Sequence, residues 1–186
     1  MQRFDFSPTP IADLMLVQRK CIEDPRGFLS RFYCAEEFGA AGAGKSISQI
    51  NHTLTRRKGT VRGMHFQMPP HAERKYVSCM RGEIYDVAVD VRRNSATFLK
   101  WHGEVLSAQN QRSLLIPEGF AHGFQALDDD CEIIYLHSAP YAQAAEAALN
   151  PLDPLLGIAW PLEITEMSDR DRAHLMLTSA FKGVGA

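Results

Sequence analysis

Arg112-Ser113-Leu114-Leu115-Ile116-Pro117-Glu118-Gly119-Phe120-Ala121-His122-Gly123-Phe124-Gln125-Ala126-Leu127 decides the fold. Two apolar runs flank a Pro-Glu-Gly turn, each shorter than an ordinary helix and of strand length. Pro117 has no N–H to carry the first strand onward, and Gly119 accepts backbone angles closed to other residues. The same unit recurs outward in both directions. The candidate runs are Leu14–Arg19, Phe28–Tyr33, Ser46–Thr53, Thr60–Phe66, Lys75–Met80, Glu83–Asp90, Trp101–Leu106 and Glu132–Ser138. Turn chemistry separates them, as at Arg81-Gly82, Arg93-Asn94-Ser95 and Asp128-Asp129-Asp130. About ten strands at such even spacing predict an all-β sandwich or barrel. Alanine-rich Tyr141–Leu149 and Ser168–Leu177 read as short peripheral helices near the C-terminus. Ser168 would cap the second, with Asp169 and Asp171 in its first turn. Gly39–Gly44 reads as a flexible loop.

The 186 residues suit a single domain, 1–186, long enough to bury a real core without staples. A net charge of −2 gives no electrostatic case for nucleic acid or an anionic membrane as partner. No stretch approaches the ~20 apolar residues of a membrane span. The start, MQRFDFSPTP, lacks the basic and apolar regions of a signal peptide, so a cytoplasmic location is expected. Cys21, Cys34, Cys79 and Cys131 form no CxxC pair and read as buried free thiols.

Four segments carry candidate chemistry. On a strand over Thr60–Gln67, alternation would turn Arg62, Met64 and Phe66 one way and His65 and Gln67 the other. A histidine inside a barrel is either a satisfied structural group or a base that titrates near neutrality. Lys75 opens an apolar strand, at a barrel mouth or a solvated end. Tyr135, in an aliphatic strand, is a core residue with its hydroxyl at the rim or a general acid. The Pro117-x-Gly119-x-x-His122 spacing resembles the second motif of the cupin superfamily, small barrels of the jelly-roll type. Metal-dependent cupins use that histidine as a ligand. His65, Glu73 and His122 would be the alternative metal set here, although Gln67 stands where a further ligating histidine would be.

Taken in order, seven segments resemble the dTDP-4-dehydrorhamnose 3,5-epimerase family. They are Asp24-Pro25-Arg26-Gly27-Phe28, Arg62–Gln67, Pro69–Val77, Pro117–Phe124, Tyr135, Asp153–Pro161 and Ser168–Asp171. The resemblance implies a cupin-type jelly roll, a homodimer, no metal and no cofactor. It implies a nucleotide-linked sugar substrate, dTDP-linked by default, in rhamnose supply for polysaccharide. It matches His65 to the base, Asp171 to its paired carboxylate, Lys75 to the cation near the substrate carbonyl and Tyr135 to the acid. It matches Arg62, Gln49 and Asn51 to the nucleotide and pyrophosphate site, and His122 to a second active-site histidine. Arg26 matches an arginine that reaches the pyrophosphate, in some members from the partner subunit. Tyr141 is counted with the substrate-binding residues, and Phe28 either lies against the base or packs in the core.

These residue types suit proton transfer beside a ketone. A neutral imidazole takes the proton, a carboxylate fixes its tautomer, a cation stabilises the enolate oxygen, and an acid on the far face reprotonates the carbon. Guanidinium forks suit pyrophosphate. Two rivals remain at this level: the metal-dependent cupin above, and a sugar-nucleotide-binding cupin without catalysis. The joint presence of His65, Lys75, Tyr135 and Asp171 speaks against the second.

Overall fold

A computed structural model describes residues 2–185. It contains thirteen strands and little helix. The strands are β1 (Phe4–Pro8), β2 (Met15–Arg19), β3 (Cys21–Asp24), β4 (Gly27–Ser30), β5 (Gln49–Thr55), β6 (Val61–Gln67) and β7 (Lys75–Arg81). They continue as β8 (Glu83–Asp90), β9 (Trp101–Ser107), β10 (Arg112–Ile116), β11 (Phe120–Ala126), β12 (Cys131–His137) and β13 (Glu146–Ala148). Two short helices, α1 (Ala35–Ala40) and α2 (Asp169–Arg172), complete the set.

Six strands form one sheet in the order β1-β2-β10-β7-β12-β5, and five form another in the order β13-β6-β11-β8-β9. All pairings within them are antiparallel. The sheets face each other as a cupin-type jelly roll. Between them lies a core built from Val77, Leu114 and Ile133 of one sheet and Ile84, Ala88, Phe120 and Phe124 of the other. Each sheet is also covered on its outer side. Phe38 of α1 packs on Tyr76, Leu115 and Leu136, and truncating a plug of that size costs about 3–5 kcal/mol. Leu149, Leu156 and Val184 of the C-terminal segment pack on Met64, Val87 and Val89. Double coverage explains why β7, β8 and β11 are buried along most of their length rather than on alternate residues.

Three expectations about local structure are corrected. Tyr141–Leu149 is not a helix. A single 3-10 turn at Gln143–Ala145 leads into β13, which pairs Glu146, Ala147 and Ala148 with Gln67, Phe66 and His65. Alanine's helix preference is worth only tenths of a kcal/mol per residue, and the open edge of β6 outweighs it. Ser168 does cap α2, accepting from the Asp171 N–H at 3.0 Å, but the helix ends at Arg172 rather than Leu177. Asn150 Nδ2 donates to the carbonyls of Arg172 and His174 and takes over the acceptors that further helix would use. The Gly39–Gly44 loop begins two residues late, because Gly39 and Ala40 close α1.

All four cysteines are free. Cys79 and Cys131 are buried, Cys21 and Cys34 half-buried, and burial pushes the Cys79 thiol up to about 12. Gly63 meets Gly123 where β6 pairs with β11. A Cβ added to Gly63 would lie 2.5 Å from the Gly123 Cα, at φ +133°. Gly63→Ala should therefore cost about 3 kcal/mol or more, read as a lowered urea midpoint; an unchanged midpoint would refute the close approach.

Candidate active site

A cavity of about 240 Å³ opens between the two sheets. Its walls are chemically distinct. The five-stranded sheet contributes Arg62 and His65 from β6 and His122 from β11. The six-stranded sheet contributes Lys75 from β7, Tyr135 and His137 from β12, and Asn51 and Thr53 from β5. An adjoining cleft of about 600 Å³ shares Arg62 and His65 and reaches Arg56, Arg170 and Asp171.

Arg62 and His65 share a wall because β6 carries an extra residue. His65 pairs with His122 and Arg62 with Phe124, so three steps on β6 span two on β11. Strict alternation would have put the two side chains on opposite faces; the bulge returns Arg62 to the His65 side. Met64 stays in the outer core.

His65 Nε2 lies 2.7 Å from Asp171 Oδ1. A carboxylate only accepts, so this contact sets the proton on Nε2 and leaves Nδ1 as the basic nitrogen. Asp171 Oδ2 also accepts from the Gly63 N–H at 3.3 Å. Burial pushes the Asp171 carboxyl up, but His65, the Gly63 N–H and Ser168 together outweigh it and hold the group below its usual range. Asp171 is 4 % exposed, so solvent screens this pair little.

On the facing wall, Lys75 Nζ donates to the His65 carbonyl at 3.2 Å and lies 3.2 Å from Glu73 Oε1. Glu73 Oε2 sits 2.7 Å from His137 Nδ1. Burial raises the Glu73 carboxyl, and the His137 hydrogen bond and Lys75 charge more than reverse it. The Tyr135 ring stands edge-on to His122 at 5.8 Å. Burial drives its hydroxyl far above the ordinary phenol value, against a long bond from the Thr53 hydroxyl at 3.5 Å. His122 Nε2 is 2.8 Å from Asp86 Oδ1, and both residues are buried.

Of the residues singled out from sequence, His65, Lys75, Tyr135, Arg62, Asn51, His122 and Tyr141 line the cavity, and Asp171 meets it through His65. Gln49 lies behind the lining: its Nε2 donates to Asn51 Oδ1, and its Oε1 accepts from the Tyr141 N–H. Arg26 and Phe28 are not in this cavity. They stand on the β3–β4 hairpin, where Phe28 is 62 % exposed, so Phe28 neither packs in the core nor lies against His65 of its own chain. The alternative metal set does not gather either. Glu73 is engaged by His137 and Lys75, and His122 by Asp86. Among the described residues one His/Asp group comes within ligating range, His65, Asp171 and His174.

Sequence reading passed over His137 and Asp86. Both carried a signal: His137 is two residues from Tyr135 and so on its face, and Asp86 is a charge in the middle of an apolar strand.

A family model described as dTDP-4-dehydrorhamnose 3,5-epimerase matches residues 8–179. The chain is 41 % identical over 164 residues to the enzyme of that name from Shigella flexneri, covering 88 % of this chain and 90 % of that one. It is 39 % identical over 158 residues to a dTDP-4-dehydrorhamnose 3-epimerase from Streptomyces niveus, covering 84 % and 76 %. Its fold is similar to a crystal structure of the 3,5-epimerase from Bacillus anthracis with TDP and PPi bound. The TM-score is 0.91 at 36 % identity, over 94 % of this chain and 99 % of that one. It is also similar to the Legionella pneumophila enzyme in complex with dTDP-4-keto-L-rhamnose, with a TM-score of 0.89 at 35 % identity, over 93 % and 92 %.

Proposed function

The chain belongs to the dTDP-4-dehydrorhamnose 3,5-epimerase family, and from that premise we propose that it inverts C3, C5 or both on a dTDP-linked 4-keto-6-deoxyhexose. The chemistry is an isomerisation. The hydrogens beside the C4 ketone are weakly acidic, and Nδ1 of His65 takes one. The C–H electron pair moves onto the C4 oxygen as an enolate. Asp171 holds the His65 tautomer and offsets the charge of the imidazolium. The Lys75 ammonium faces the enolate oxygen, a preorganised interaction worth roughly 3–4 kcal/mol. Tyr135 returns a proton to the same carbon from the other side, re-forming the C–H bond with inverted configuration. Its raised pKa keeps the proton in place until the enolate takes it. Water then resets the phenolate and the imidazolium, and no redox partner is needed.

Arg62 binds pyrophosphate oxygens with Asn51, which Gln49 holds from behind, and Tyr141 offers an exposed ring face at the mouth. The hairpin residues Arg26 and Phe28, remote from their own cavity, serve the site of a second copy in a homodimer. Exposed Ile22, Phe28 and Leu29 on that hairpin support the pairing, and a monomer by light scattering would end it. Among the described residues no helix is long and apolar enough to cross a membrane, and a nucleotide-sugar substrate fits a cytoplasmic enzyme.

One observation carries this reading: a His–carboxylate pair stands across one cavity from a lysine and a tyrosine. Proton NMR of chelator-treated protein with dTDP-4-keto-6-deoxyglucose in heavy water tests it. Deuterium is expected at C3 and C5. Entry at C3 alone would make the chain a single-centre epimerase, and no entry would refute the reading.

A further inference from the structure

We infer that His65, Asp171 and His174 form a Zn²⁺ site whose occupation switches the base off, so that zinc inhibits the enzyme without taking part in its reaction. The inhibitory half rests on the proposed role of His65; the binding half does not. One ligand atom from each of the three residues lies within 4.8 Å of the others. The two imidazole rings meet edge-on, 6.4 Å between centroids at 76°. His174 Nε2 is buried and has no hydrogen-bond partner among the described residues. A buried ring nitrogen left unpaired is costly, and a metal bond would satisfy it. The segment is held in place, because Asn150 Nδ2 donates to the His174 carbonyl at 2.7 Å and to the Arg172 carbonyl at 3.2 Å.

The donor set fits zinc. Two imidazoles and a carboxylate form the three-ligand shell that leaves a fourth, water-filled position. Ligands at about 2.0–2.1 Å in a tetrahedron are roughly 3.3 Å apart, so His65 and Asp171 separate slightly from 2.7 Å while His174 swings in. The neighbouring cation Arg170 is paired with Glu146, which lessens its repulsion of a metal. The consequence for the base follows from imidazole chemistry. A neutral ring with zinc on Nε2 carries its proton on Nδ1 and has no lone pair for a C–H proton; zinc on Nδ1 occupies the basic atom directly.

Calorimetric titration of chelator-treated, full-length protein with ZnCl₂ tests the site. The expected result is one Zn²⁺ per chain, with affinity at least about tenfold weaker in His174→Ala and His174→Gln. The glutamine variant keeps volume and polarity while being a poor zinc ligand. In the deuterium-exchange assay both variants should match the parent without zinc and need at least about tenfold more zinc for half inhibition. Equal binding or equal inhibition in parent and variants would overturn the inference. If exchange is absent throughout, the epimerase reading fails and calorimetry still decides the site.

Discussion

Replacing His65 by asparagine should slow deuterium entry at the carbons beside the ketone by roughly 10²–10⁴-fold, about 3–5 kcal/mol in barrier. The side chain sits on the cavity wall with its Nε2 committed to Asp171, which leaves Nδ1 as the proton acceptor on that wall. Asparagine is polar and of similar bulk but has no basic nitrogen, so the proton has nowhere to go. The loss should fall on kcat, with KM changed little, because the proposed nucleotide contacts are made by other residues. The fold should survive, since the His65 side chain is one-third exposed and belongs to none of the three apolar clusters. Exchange at C3 or C5 within threefold of the parent would move the base elsewhere, with His122 the next nitrogen along the same wall.

Asp171→Asn should cost nearly as much, for a different reason. The amide keeps the volume and can still accept from the Gly63 N–H. Its NH₂ group, however, can donate to His65 Nε2 and stabilise the tautomer with the proton on Nδ1, where the base is needed. In other His–carboxylate pairs the same change costs about 10⁴-fold in kcat, and a fall of roughly 10²–10⁴-fold is expected here. Stability supplies an independent readout. The folded carboxyl titrates below its ordinary value of 3.8, so the pair stabilises the fold above that value, and the contribution is lost as pH falls through the folded pKa. Parent and variant should differ in urea midpoint at pH 7, and the gap should start to narrow near pH 3.8 and close only once pH has fallen through the lowered folded value. An unchanged kcat would remove Asp171 from the mechanism, and a stability gap that persists in acid would mean the pair is not what the carboxylate contributes.

Much of the scaffold was legible because strand signals are local. Glu83–Asp90 and Arg112–Ile116 coincide with β8 and β10 residue for residue, and most other runs differ from their strands by one to three residues at the ends. Apolar runs ended by turn residues determine such segments wherever a partner strand is found. Helix was the weaker reading. The alanines of β13 carry little preference of their own, and Phe38 anchors α1, whose first four residues drew no reading and whose last two fell in a run read as loop. The site divides in the same way. Motifs in order pointed to His65, Lys75, Tyr135 and Asp171, and residue type supplied the chemistry of each.

By itself, then, the sequence determined the strand pattern and the residue types that the proposed mechanism uses. The tertiary structure alone decided where they stand. The bulge in β6 brings Arg62 to the His65 wall, and the edge of β6 turns an alanine-rich segment into a strand. Asp171, 106 residues along the chain, closes on His65, and the β3–β4 hairpin carries Arg26 and Phe28 away from the cavity of their own chain. The physical reason is range. Side-chain alternation and turn preference act over a few residues, whereas register shifts, edge pairing and the meeting of distant groups are settled by which surfaces the assembled sheets must cover.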